Sequence, residues 1–256
     1  MAAKRSTGRK SEGGFGELLK TIVYALLIAG VFRTFLFQPF WIPSGSMKST
    51  LLVGDFLFVS KYSYGYSRHS FPFSAAPFEG RIFARVPERG DVIVFKHPRT
   101  GADFVKRLVG LPGDRVQMIE GVLHVNGVAA PQRAAPDFLE PAAPGLACLD
   151  FPRIDGEVFC RKLAFTETLG DSEHTILQAD ATRAGSVNNT REFVVPEDNF
   201  FFIGDNRDNS NDSRQAVGMV PFDNLVGRAE IIALSFGGAF WEVWDWRADR
   251  FFVRIR

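Results

Sequence analysis

The chain of 256 residues carries 30 basic and 29 acidic side chains, is 46% hydrophobic and 23% charged, and has 26 Phe against only 4 Tyr. This composition excludes a disordered chain, a collagen and a coiled coil, and the length allows one large domain or two small ones with a sizeable core. A net charge of +1 gives no whole-molecule attraction to nucleic acid, and the 2 cysteines, Cys148 and Cys160, are too few for a disulfide-scaffolded mini-protein and form no CxxC pair.

The charge is uneven along the chain. Lys4, Arg5, Arg9, Lys10 and Lys20 face only Glu12 and Glu17 in residues 1–20, which leaves that segment at +3. Residues 21–32, TIVYALLIAGVF, are uncharged and mostly apolar; Arg33 interrupts, and TFLF carries the run to Phe37. The run falls short of the roughly 20 apolar residues of a membrane span, although Lys20 and Arg33 could snorkel at its ends. Three readings fit: a cleaved signal peptide, a buried helix of a soluble protein, and an uncleaved signal anchor. No A-x-A-like site follows the run, which disfavours the first. The anchor is the preferred reading. It makes residues 1–16 a flexible cytoplasmic tail and 17–37 a single span, with the remainder outside by the positive-inside rule.

The chain then reads as β. FLFVSKY (56–62) and DVIVFK (91–96) are short β-branched or aromatic runs bounded by turns. RVQMIEGVLHVNGV (115–128) reads as a hairpin pair turning at Gly121 and at Asn126-Gly127. EFVV (192–195), NFFFIG (199–204) and AEIIALSF (229–236) complete the expected strands. Residues 129–150, rich in Ala and Pro and without periodicity, are expected to form a surface loop. Segments 63–90 and 129–190 have the weakest strand patterns, and residues 129–190 have the character of an insertion.

Three stretches are too polar or too oddly composed for simple scaffolding. In IPSGSMKST (42–50), a Ser between Gly and Met could be a nucleophile in a tight turn whose backbone N–H groups bind an oxyanion; an ordinary Ser/Gly turn has the same composition. It is not the G-x-S-x-G elbow, since Ser44 and Lys48 occupy the glycine positions. In FVKRLVGLPGD (104–114), strand alternation sends Lys106 and Arg107 to opposite faces, so one of them can point inward. A desolvated lysine can serve as a base near neutral pH, whereas two charges snorkelling from a strand end are the commoner outcome. GDNRDNSNDSR (204–214) resembles a calcium loop only superficially, because Ser213 and Met219 replace the Gly and Glu such a loop requires. A polar loop stapled by Asp–Arg pairs is the expectation there, and no metal site. His69, His97, His124 and His174 stand alone in no recognisable triad or metal motif, and there is no Walker A loop or dinucleotide fingerprint.

Taken together and in this order, PFWIPSGSMKSTLLVGDFLFVSKYSYG, RGDVIVFKHP with FVKRLVGLPGDRV, and FFIGDNRDNSNDSR with GMVPFDNLVGRAEIIALSF resemble the bacterial type I signal peptidases. The match covers roughly a hundred residues behind an N-terminal anchor. It departs at Ser49, where the family commonly has Pro, and in offering one span where some relatives have two. The resemblance implies a mainly β protein: an N-terminal transmembrane helix, then an antiparallel β-sheet catalytic domain of signal-peptidase type built from residues 38–115 and 197–256. An inserted β-rich lobe would span 116–196.

For the site, the resemblance implies a Ser/Lys dyad with Ser46 as nucleophile and Lys106 as general base. Ser44 would donate its hydroxyl to the oxyanion beside the Ser46 N–H, and Ser210 would hydrogen-bond and orient the lysine amine. Asp205, Arg107, Asp212 and Arg214 would form supporting salt bridges. Substrate pockets would fall on Phe40, Ile42, Pro43, Met47, Leu51, Phe104 and Val105. The implied reaction is removal of signal peptides from secreted preproteins after A-x-A-like sites, with no cofactor, since the dyad and the oxyanion donors complete it. The implied partners are signal peptides and membrane lipid, with no nucleic acid, at the outer face of a bacterial inner membrane. Tyr62, Tyr64, Tyr66, Phe71 and Phe73 with Trp241, Trp244 and Trp246 could lie against that bilayer, or the tryptophans could be core residues. A disulfide between Cys148 and Cys160 would close the insert in an oxidising compartment. Two alternatives remain. One is a self-cleaving repressor-type protease, for which residues 1–37 offer no helix-turn-helix. The other is a non-enzymatic single-pass membrane protein whose outer β domain binds a partner.

Overall fold

The computed structural model describes residues 14–71, 78–180 and 185–255, so residues 1–13 of the expected tail and Phe73 lie outside the described residues. Helix α1 runs Gly14–Phe35. At 1.5 Å per residue its 22 residues span about 33 Å, enough for a hydrocarbon core of about 30 Å. It starts earlier than the apolar run because Phe15, Leu18 and Leu19 continue the run, while Glu17 and Lys20 pair with each other at 3.1 Å. Its side chains are exposed along its length, which does not fit the buried-helix reading. It ends before Phe37 because that residue pairs with Ser60 in the first strand.

The strands follow in chain order: β1 Phe37–Trp41, β2 Asp55–Ser60, β3 Val92–Lys96, β4 Asp103–Gly110, β5 Arg115–Ile119, β6 Val122–Val125, β7 Val128–Ala129 and β8 Gln132–Pro141. Then come β9 Arg153–Ile154, β10 Glu157–Leu169, β11 Ser172–Gln178, β12 Phe193–Val194, β13 Asn199–Ile203, β14 Val220–Pro221, β15 Leu225–Ser235 and β16 Val253–Arg254. The fold is mainly β, and the strand ladders are antiparallel. The main sheet has the order β1-β2-β15-β3-β4-β13-β14, with β16 paired to β15. Its interior packs Ile42, Met47, Leu51, Leu57, Val92 and Val226 into one apolar cluster. A second cluster, with Ile93, Phe95 and Phe202, fills the other face of the same strands, as alternation requires. The stacked pair Phe95–Phe202 lies at 4.5 Å between ring centres.

Two smaller sheets lie between β4 and β13 in sequence: β12-β5-β6-β7, and β11-β10-β8 with β9 paired to β10. The expected hairpin turns are present. Glu120-Gly121 and Asn126-Gly127 all take positive φ, between 48 and 79°, as two-residue turns between twisted strands require.

Residues 129–150 are not simply a loop. Gln132–Pro141 forms β8, ten residues long and paired along β10. The strand carries little apolar alternation because most of it is exposed and its order comes from its partner. It lies at the sheet edge, and the register shifts between Lys162 and Ala164 opposite Pro136, which leaves room for a residue without an N–H. The disulfide Cys148–Cys160 closes the segment that follows β8, with its Cα atoms 5.3 Å apart. The aromatic expectation divides. Tyr64 is buried and belongs to the core beside Phe95, because its hydroxyl donates to Asp91 at 2.8 Å. Trp241 and Trp244 are not core residues, at 66% and 77% exposure.

Candidate active site

The turn after β1 carries Ser44, Gly45 and Ser46. Ser46 is buried, at 8% exposure. Its hydroxyl oxygen lies 3.5 Å from that of Ser44 and accepts a hydrogen bond from Lys106 Nζ at 2.6 Å. Lys106 comes from β4, is 3% exposed, and donates a second bond to the Val105 carbonyl at 2.9 Å. Among the described residues no carboxylate pairs with its amine. Burial is the main cause that lowers its pKa from 10.5 to about 8, against the partial restoring pull of Asp212 and Asp205. Lys61 is lowered to about 8 as well, again by burial first, yet its amine bonds the Ser70 carbonyl. Geometry, not the shift, singles out Lys106.

Arg107 points the other way. Its guanidinium makes a two-pronged pair with Asp205, at 2.8 and 2.7 Å, with both partners at 1% exposure. Arg214 pairs in the same manner with Asp212, at 2.9 and 2.8 Å. Burial would raise both carboxyls, but the facing guanidinium groups outweigh it and hold each below the usual carboxylate range. Thr50 Oγ1 also donates to Asp205, at 2.5 Å. The polar loop after β13 is thus stapled by Asp–Arg pairs and sits directly against the Ser46 turn. Asn206 donates its backbone N–H to the Ser46 carbonyl at 3.1 Å and its side-chain amide to the Gly45 carbonyl at 2.8 Å.

Ser210 is buried in this loop, and the expected Ser210–Lys106 hydrogen bond is not formed. The Ser210 hydroxyl makes no bond of ordinary geometry, though it lies close enough to Asp212 to help lower its carboxyl pKa. A Cβ at Gly204 would fall 2.2 Å from Ser210 Oγ and 2.5 Å from the Ser46 carbonyl oxygen, so only glycine lets the loop and the turn meet.

A cleft of about 250 Å³ opens between the end of β1 and the start of β4, lined by Phe40, Ile42, Pro43, Ser44, Phe104, Val105 and Lys106. Five of the expected pocket residues therefore line it. Met47 and Leu51 are instead fully buried in the apolar cluster that also holds Ile42, with Phe40 and Val105 packed against that cluster.

The site also contains groups that no local sequence signal marked. Glu167 of β10 forms a fully buried pair with Arg207, and His174 of β11 lies 3.4 Å from Glu167 and 4.0 Å from Asp205. Burial lowers the His174 pKa, assisted by Arg107 and opposed by Glu167. Glu140 and Lys162 belong to the same missed set. The Glu140–Lys162 and Glu167–Arg207 pairs join residues 22 and 40 positions apart, a separation that leaves no local pattern to read.

The family profile described as "Signal peptidase, peptidase S26" matches residues 15–234. A signal peptidase I of Rickettsia typhi is 38% identical over 230 residues, covering 87% of this chain and 81% of its own. One of Rickettsia felis is 38% identical over 247 residues, covering 93% of this chain and 85% of its own. A solved signal peptidase I from Enterococcus faecalis covers 56% of this chain and 97% of its own at 24% identity, with a TM-score of 0.31.

Proposed function

Because the chain belongs to the peptidase S26 family of signal peptidases, we propose that Ser46 and Lys106 are the nucleophile and general base with which it removes signal peptides from secreted preproteins. The observation that carries the assignment is the 2.6 Å contact of Lys106 Nζ with Ser46 Oγ in a buried setting that lowers the lysine pKa to about 8. Above that pH the amine is neutral and its lone pair accepts the Ser46 proton. The freed oxygen attacks the scissile carbonyl. The charge that develops on the carbonyl oxygen is met by the Ser46 N–H and the Ser44 hydroxyl. The Lys106 ammonium then protonates the leaving amine, and the neutral lysine next activates the water that clears the acyl-enzyme. The Arg107–Asp205 and Arg214–Asp212 pairs hold the loop that packs against the nucleophile turn. Proton, nucleophile and oxyanion donors are all supplied by the chain, so the reaction requires no cofactor.

The cleft has apolar walls of Phe40, Ile42, Pro43, Phe104 and Val105, which suits small apolar side chains such as Ala at the first and third positions before the cut. Met47 and Leu51 back it from the core. β1 is at the sheet edge, where an extended peptide finds backbone partners. Residues 38–115 and 197–256 form the catalytic core in this reading, and residues 116–196 the inserted lobe.

The apolar helix and the family relationship support membrane anchoring. The basic residues ahead of the helix support a cytoplasmic N-terminus with the catalytic domain on the outer side. Contact with lipid is supported by exposed aromatics that adjoin the cleft: Trp41 of its wall stacks on Phe236, which packs on Trp246, beside exposed Trp241 and Trp244.

The test uses the detergent-solubilised chain with a preprotein and with a serine-acylating probe. Cleavage after an A-x-A site and probe attachment at Ser46 are the expected results. A folded chain that cuts nothing, or that labels elsewhere, rejects the assignment.

A further inference from the structure

The nucleophile turn is gripped from the inserted lobe, and the grip passes through a buried chain of charges. Lys162 of β10 is fully buried. Its amine donates to Glu140 of β8 at 2.9 Å and to the side-chain oxygen of Asn206 at 3.4 Å. An ammonium only donates, so it fixes which end of the Asn206 amide is oxygen. The nitrogen end then faces the Gly45 carbonyl, to which it donates at 2.8 Å. Glu140 uses its other oxygen to accept from Lys48, whose stem folds back over Gly45: a Cβ there would fall 2.9 Å from Lys48 Cε. The turn is thus held at Gly45 and at Lys48, on either side of Ser46, by two residues that lie far from it in sequence.

The consequence lies in one peptide unit. The Gly45 carbonyl and the Ser46 N–H belong to the same planar trans peptide, so they point in opposite directions. Holding the carbonyl with Asn206 and with the Lys48 N–H at 3.2 Å fixes where the Ser46 N–H points. We propose that Glu140 and Lys162 are positioning residues for catalysis: through Asn206 and Lys48 they set the Gly45–Ser46 peptide so that its N–H meets the oxyanion. This deepens, and rests on, the assignment of Ser46 as nucleophile and oxyanion donor. The inserted lobe then completes the catalytic geometry and is more than an appendage to it. A backbone bond from Leu177 N–H of β11 to the Asp205 carbonyl, at 2.8 Å, ties the lobe to the same loop.

A structural pair and a positioning pair differ in what their loss does to turnover. The test compares wild type, Lys162→Met and Glu140→Gln in the full detergent-solubilised chain, with Arg133→Gln as control because it breaks only an exposed pair in the same lobe. Circular dichroism first establishes that each is folded at the assay temperature. Loss of an oxyanion donor outright costs 10²–10³-fold in kcat, and misdirecting one costs part of that. The expected result is about a tenfold fall in kcat for Lys162→Met and for Glu140→Gln, with KM within about twofold. The apparent pKa of the pH profile stays that of wild type, since the Lys106 surroundings are untouched. Arg133→Gln keeps the wild-type kcat. Folded variants with wild-type kcat and only a lowered Tm, or with raised KM alone, overturn the proposal. If Lys162→Met does not fold, Glu140→Gln, whose side chain lies nearer the surface, is read by the same criteria. Ser46→Ala in the same series separates the two levels: its retained turnover would refute the dyad, whereas unchanged Lys162→Met beside inactive Ser46→Ala refutes only the positioning role.

Discussion

Lys106 and Arg107 are neighbours in β4 with opposite surroundings: one amine rests on Ser46 Oγ at 2.6 Å without a carboxylate partner, and the other cation is locked by two bonds to Asp205. Strand alternation produces this division. The arginine takes the nearby acid, and the lysine is left desolvated and able to lose its proton. A buried cation without a partner lowers stability, which has a measurable sign. Lys106 has a folded pKa of about 8 against 10.5 unfolded, so between those values the unfolded chain holds more protons and stability rises with pH. Below pH 8 the full penalty, about 3 kcal/mol at most, remains. Lys106→Met is therefore expected to be inactive yet to melt higher than wild type at pH 7, with the advantage shrinking between pH 8 and 10.5. Thermal melts across that range check it.

Ser44→Ala is expected to impair the enzyme without abolishing turnover. Its hydroxyl is one of two proposed oxyanion donors, and losing one such donor costs about 2.7–4 kcal/mol of transition-state stabilisation. The fall belongs in kcat, with KM nearly unchanged. Steady-state kinetics on a peptide substrate check both parts.

Gly204→Ala is expected to cost roughly 1–3 kcal/mol of stability and about a hundredfold in kcat. The added methyl meets the Ser46 carbonyl and Ser210 Oγ well inside contact distance, so the polar loop must pull away from the nucleophile turn. Denaturant titration and kinetics on the same preparation test whether the two losses occur together.

Much of the core site was legible because its residues come in short contiguous stretches. Ser44, Ser46 and Lys106 sit in runs whose order matched a known family, and alternation alone separated Lys106 from Arg107. The lobe was harder to read. β8 carries Pro136 and an exposed Ala134, and its strand conformation comes from pairing with β10, which no window along 129–150 contains. Lys162 and Glu167 lie in 129–190, where strand patterning is weakest, and nothing local marks them. Their burial is evident only when Glu140, Asn206 and Arg207 arrive from elsewhere in the chain. Ser210 is expected to bond the lysine, but its hydroxyl stands beside Asp212 and that bond is not formed.

Glu167→Gln is expected to destabilise the fold by about 3–5 kcal/mol, because it leaves Arg207 charged, buried and without its carboxylate. The same pair sets the acid limit of the fold. Burial would raise the Glu167 pKa, but Arg207 and His174 reverse this and hold it well below 4.5. A carboxylate with a depressed folded pKa gives stability that is present above its unfolded value and lost as pH falls below it. With Asp205 and Asp212 depressed as well, stability is expected to start falling as pH drops below about 4 to 4.5 and to keep falling toward the depressed folded values. Glu167→Gln should flatten that acid limb, as urea midpoints measured against pH would show.

The most direct measurement is preprotein cleavage by detergent-solubilised wild type, Ser46→Ala and Lys106→Ala, followed from pH 6 to 10. The dyad requires that wild type cut after an A-x-A site with activity rising through an apparent pKa near 8, and that both variants be folded and inactive. A folded Lys106→Ala enzyme that still cuts, or a wild-type profile that rises only near the pKa of free lysine, would contradict it.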